Sequence, residues 1–71
     1  MSKTYITFGQ AHVHRVNGKT FDCDCIAVIN CKDGKEGREL AIEYFDDKWS
    51  FEYFEKIPDM SFFPRGLIKV N

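Results

Sequence analysis

Asn17-Gly18 is the feature that most constrains this 71-residue chain. The central residues of a two-residue type I′ turn both need a positive φ, and Asn-Gly adopts that backbone at little cost. Strand-like sequence flanks the pair on both sides. Thr4 to Val16 reads as a first strand, rich in residues that favour extended backbone at Tyr5, Ile6, Thr7 and Phe8. Gly9 interrupts it and predicts a bulge or a close backbone approach. The second strand runs from about Lys19 to Asn30, with Ile26-Ala27-Val28-Ile29 as its buried centre. A tight turn also fixes register. Val16 opposes Lys19, so His14 opposes Phe21, His12 opposes Cys23 and Gln10 opposes Cys25. Alternation then puts Phe8, Gln10, His12, His14, Phe21, Cys23 and Cys25 on one face.

A helix follows. Asp33 is placed to cap it, with Glu36 three residues on as in a capping box. The spacing predicts a helix over Lys35 to Asp47. Gly37, Leu40, Ala41, Tyr44 and Phe45 form its apolar stripe. Gly37 costs about 1 kcal/mol against Ala in a helix, which close packing on a sheet would offset. Trp49 to Phe54 alternates as a third strand, Glu55 to Gly66 holds both prolines and reads as an irregular connection, and Leu67 to Val70 closes as a fourth strand. The expected fold is α+β: a single domain over residues 1–71 in the order β-β-α-β-β, its antiparallel or mixed sheet carrying one helix on one face.

A chain this short is near the lower limit for a self-sufficient core, and large side chains, a metal or a second subunit are the usual remedies. Eleven residues are aromatic, which excludes a disordered tail and gives a core its bulk. A homodimer is a further expected way to bury spare aromatic surface. The net charge of -1 argues against nucleic acid as the main partner, because phosphate-backbone binders carry a basic excess. No apolar run reaches the ~18 residues of a membrane span. Met1-Ser2-Lys3-Thr4 runs straight into a strand, so no secretory signal is expected. With three cysteines, an odd count, the reading is a reducing, cytosolic compartment.

In the predicted hairpin, His12, His14, Cys23 and Cys25 converge. Two imidazoles and two thiolates are a zinc-compatible set, which makes a small metal-binding domain one alternative. Cysteine is also a small hydrophobe, histidine a ready hydrogen-bonding group, and Cys-x-Cys an unusual spacing for structural zinc. Asp22 and Asp24 are expected on the opposite face, as solvated strand residues or as a carboxylate pair for a divalent ion or acid–base work. No pocket is expected in so small a chain, so the reading is non-enzymatic, with no catalytic residue and no required cofactor.

Asp59-Met60-Ser61-Phe62-Phe63-Pro64-Arg65-Gly66 is the segment least explained by folding alone. Neighbouring side chains in extended chain point opposite ways, so one of Phe62 and Phe63 covers the core while the other stays available. Met60, an outward Phe and Arg65 are residue types enriched where proteins meet. The candidate contact residues are His12, His14, Arg15, Met60, Phe62, Phe63 and Arg65. Trp49, Phe51 and Tyr53 are expected to share a strand face. They serve the core or, with His14, Arg15 and Lys19, a base-stacking platform in a nucleic-acid-binding domain.

Three stretches together resemble a known group: Tyr5-x-Thr7-Phe8-Gly9-Gln10-x-His12-x-His14, then Asn17-Gly18-x-Thr20-Phe21-Asp22-x-Asp24-Cys25, then Asp59 to Gly66. The chain resembles very small uncharacterised proteins of tailed phages and prophages. The resemblance implies expression in a bacterial host cytoplasm. It also implies an accessory protein that binds and inhibits or modulates a host protein, including the machinery of anti-phage defence. It assigns no residue a role.

Overall fold

The structure, a computed structural model, describes residues 2–71. The Asn17-Gly18 turn forms with φ values of 52° and 75°. It joins a short hairpin, which we number β2 (His14–Val16) and β3 (Lys19–Phe21). Val16 opposes Lys19 and His14 opposes Phe21, as the turn dictates. The two long expected strands do not persist beyond it. The first divides into β1 (Ser2–Thr7) and β2, the second into β3 and β4 (Cys25–Cys31). Local hydrogen bonds explain both breaks. The His12 amide donates to the Gly9 carbonyl at 3.1 Å. Asp22 accepts the Asp24 amide on its side chain at 3.0 Å and the Cys25 amide on its carbonyl at 3.3 Å, an Asx turn that takes the chain out of the ladder.

β1 and β4 still pair antiparallel, with Thr7 opposite Ile26. Between that pair and His14–Phe21, residues 8–13 on one arm face residues 22–25 on the other. The extra length on the first arm shifts the expected register by two residues. Cys25 therefore does not meet Gln10, and His12 does not pair with Cys23. Because the shift is even, the residues that remain paired keep their faces. Phe8, His14, Phe21 and Cys25 still point the same way.

The rest of the chain is helix α1 (Gly34–Phe45), strand β5 (Phe51–Phe54), a 3₁₀ turn at Met60–Phe62 and strand β6 (Gly66–Lys69). The sheet order is β5-β1-β4-β6. β1 is antiparallel to both of its neighbours, and β6 is parallel to β4. The architecture is α+β with a mixed sheet and one helix. The six strands replace the expected β-β-α-β-β order. No helix among the described residues is long and apolar enough to cross a membrane.

α1 forms as its sequence dictates. The Asp33 carboxylate accepts the Glu36 amide at 2.9 Å, while Glu36 reaches back to the Lys32 amide at 2.8 Å. The helix ends two residues earlier than expected because Asp46 takes a positive φ of 56°. Gly37, Ala41 and Phe45 are buried on the sheet. A Cβ on Gly37 would stand 3.0 Å from Thr4 Cγ2 and 3.1 Å from Cys31 Sγ, so the close approach is real.

The core has two layers. On the helix side, Ile6, Phe8, Phe21, Cys25, Ala27, Ile29, Ala41, Phe45 and Val70 pack together. On the other side Tyr5, Ile26 and Val28 are covered by Tyr53 and Phe63. Trp49 does not share a face with Phe51 and Tyr53, contrary to expectation. It packs with the helix-side core and under Arg38, whose guanidinium carbon lies 5.6 Å from the indole centroid. The cause is a bulge. The Ser50 amide donates to the Thr7 carbonyl at 2.8 Å, although Phe51 already opposes Thr7. Two residues against one reverse the alternation between Trp49 and Phe51.

Candidate functional site

β5 and β6 are the two outer strands of the sheet, so the chain between them must cross it. Residues 55–65 do so over the face without the helix and form a strap. Positive φ values at Glu55 (54°) and Gly66 (72°) turn the chain at its two ends. In between, Asp59 holds the 3₁₀ turn: its Oδ1 accepts the Ser61 amide at 3.0 Å and the Ser61 hydroxyl at 2.8 Å. These donors favour the ionised carboxylate and hold Asp59 below the usual range. The Phe63 amide then donates to the Met60 carbonyl, and the Gly66 amide to the Phe63 carbonyl.

This backbone sends the two phenylalanines opposite ways. Phe63 packs down with Tyr5, Ile26, Val28 and Tyr53. Phe62 is 74% exposed, the largest value among the big apolar side chains. Met60 and Ile57 on the same strap are also exposed, and the Met60 methyl lies near Gly66 at the start of β6. Arg65 is a latch. Its Nη1 meets Asp22 Oδ1 at 3.1 Å, its Nη2 donates to the Thr20 carbonyl at 3.0 Å, and its amide donates to the Asp24 carbonyl at 2.9 Å. The strap is thus tied to the hairpin side of the molecule.

The candidate contact residues accordingly divide. Met60, Phe62 and Arg15 face solvent, while His12 is half-buried. Phe63 and Arg65 hold the strap. His14 belongs to an aromatic cluster, its ring 5.7 Å from that of Phe8 and 5.1 Å from that of Phe45. Its Nε2 lies 2.7 Å from the Lys48 carbonyl, which only accepts, so that nitrogen carries the hydrogen. The hairpin is thereby pinned to the loop after α1.

The expected His12, His14, Cys23, Cys25 set does not assemble, because the register that would join it is absent. Cys25 is buried, with its sulfur near the Asp22 backbone; Cys23 meets the Asp24 carboxylate beside it. Among the described residues, no three His, Cys, Asp or Glu side chains are grouped to hold a metal ion. Burial raises the Cys25 and Cys31 thiols above their ordinary value, so both stay neutral at physiological pH.

Phe51 is an exposed functional candidate that the sequence pattern hides, and Phe54, one of the aromatics the composition leaves hard to bury, is exposed with it. Alternation marks a strand, but it does not reveal that β5 lies at an edge. Beside β5, a cavity of about 400 Å³ is lined by Arg38, Ile42, Asp47, Trp49, Phe51 and Glu52, with Ser50 at the bulge. No protein-family model matches the chain, and no curated protein or solved structure is significantly similar to it.

Proposed function

We propose that this chain is a non-enzymatic accessory protein of phage type, which binds a host protein in the bacterial cytoplasm and inhibits or modulates it. The observation that carries this reading is the exposed Phe62 on a strap that Asp59, Phe63 and Arg65 tie to the rest of the molecule. Ordering a loop normally costs conformational entropy at binding, and a loop already fixed by Asp59, Phe63 and Arg65 avoids much of that cost. An exposed aromatic ring on the same strap as the exposed Met60 and Ile57 is the kind of anchor that dominates protein interfaces. The anti-defence role follows from the resemblance alone.

The test is comparative affinity capture from a host lysate, with any captured protein then purified and titrated. Phe62→Ala and Met60→Ala should each weaken binding at least tenfold while leaving the melting temperature near wild type. Phe63→Ala and Arg65→Ala are unsuitable probes, since both side chains hold the strap itself. A purified partner bound equally well by Phe62→Ala would remove the strap from this account.

A further inference from the structure

The two edges of the sheet differ. At β6, side chains of the hairpin meet the strand backbone: Lys19 Nζ donates to the Lys69 carbonyl at 2.6 Å and Asn17 Nδ2 to the Val70 carbonyl at 2.7 Å. Asn71 and Asn30 close the end of the strand with a reciprocal set of hydrogen bonds between 2.8 and 3.1 Å. At β5 no such guard exists among the described residues. The Glu55 amide donates to the Lys3 carbonyl. The alternation of an antiparallel ladder then directs the amides and carbonyls of Tyr53 and Phe51 toward β1, and those of Glu52 and Phe54 outward. The strand carries neither proline nor lysine; the bulge at Ser50 lies before its first residue, and its one charge within Phe51–Phe54, Glu52, is engaged by Thr4 and Arg38.

We propose that β5 pairs antiparallel with β5 of a second copy, about a twofold axis through Tyr53, to form one continuous eight-stranded sheet. Only one register fits. The outward groups can mate as Glu52 with Phe54, or as Glu52 with Glu52. The second alternative sets like charges directly opposite each other, which is unfavourable. A register centred on Phe54 would need a paired residue at Lys56, but the chain has already turned away at Glu55. The Tyr53 register also seats the side chains. On the open face the two Tyr53 rings meet as a close cross-strand pair, flanked by Phe51. On the helix face, Phe54 of the partner subunit lies opposite Glu52, beside the cavity lined by Ile42 and Trp49. The symmetry repeats this contact, so two exposed phenylalanines are covered at once. With one edge guarded, association closes at two copies instead of running on as a fibre. A net charge of -1 per chain opposes it little. This surface is separate from Phe62 and Met60, so it stands or falls apart from the proposed host-binding role.

The experiment is mass by light scattering after size exclusion, joined to amide exchange. Wild type should show twice the chain mass, and the Glu52 and Phe54 amides should lose protection on dilution. Phe54→Pro removes an outward donor without touching the β1 ladder and should give a monomer. Phe54→Glu should do the same by charge repulsion, and the double change Phe54→Glu with Glu52→Lys should restore the dimer. Circular dichroism reports whether each variant is folded, and the exchange arm needs no variant. A wild-type monomer at high micromolar concentration would overturn the proposal. So would a dimer whose Glu52 and Phe54 amides stay unprotected, or one that survives both single changes. Failure of the charge swap to restore the dimer would overturn the register.

Discussion

At the scale of single residues, Gly37 and the buried thiols have clear consequences. The gap left by Gly37 is filled by Thr4 and Cys31, both fully buried and unable to yield. Gly37→Ala gains about 1 kcal/mol in helix propensity. It loses about 1–3 kcal/mol to overpacking. We expect a net loss, read as a lower midpoint in urea. Cys25 and Cys31 couple stability to alkaline pH. Burial is the largest cause of both shifts, with the Glu36 carboxylate adding to it at Cys31. Unfolded thiols ionise at their ordinary value, folded ones only above it. Once the pH passes that value, the folded chain holds protons that the unfolded chain has released, and stability falls as pH rises further. These two thiols should therefore make the melting temperature decline as the pH rises through the ordinary thiol range and beyond. Cys25→Ala with Cys31→Ala, compared with its own neutral-pH value, should decline less.

At the scale of elements, the strap and α1 are the parts whose stability can be apportioned. Phe63 is the anchor of the strap. Its truncation should cost about 2 kcal/mol, below the range for a fully buried Phe because the ring is half-buried. Arg65→Ala should cost less, about 0.5 kcal/mol, since its ion pair with Asp22 is partly in solvent. Guanidinium unfolding of both variants checks the order. Asp33→Ala should cost about 1 kcal/mol through the lost cap of α1. The elements also show where the sequence was readable. Local signals were reliable: the Asn17-Gly18 turn, the Asp33 cap, the apolar stripe of α1 and the opposite directions of Phe62 and Phe63. The breaks at Gly9 to Val13 and Asp22 to Asp24 were not readable as breaks, because only the competing local hydrogen bonds end the ladder there. The bulge at Ser50 was equally hidden, and it alone moves Trp49 off the face of Phe51 and Tyr53.

For the whole molecule, strand order was the least legible property. Nothing in Leu67-Ile68-Lys69-Val70 says that it pairs in parallel with β4, and nothing in Phe51 to Phe54 says that this strand lies at an edge. Both facts come from contacts between residues distant in the chain. The expected grouping of His12, His14, Cys23 and Cys25 is absent for the same reason: it needed one hairpin to continue where two separate pairings formed. The faces of the first hairpin survived only because the slippage was even. The aromatic surplus, by contrast, has a structural answer. It fills two layers on opposite sides of one thin sheet, and Phe51, Phe54 and Phe62 are left over.

The pairing of β6 with β4 also has a kinetic side. A chain emerges from the ribosome N-terminus first. β1, the hairpin, β4 and α1 are all made before β6, whose neighbour Val70 is buried in the helix-side core. Until those residues arrive, Ile26-Ala27-Val28-Ile29 presents an uncovered edge of high β-propensity and no charge, the kind of segment that seeds aggregation. A chain stopped after Arg65 should therefore pellet on expression, whereas the full chain stays in the supernatant. The order in which residues are made thus leaves the most hazardous strand waiting for the last one.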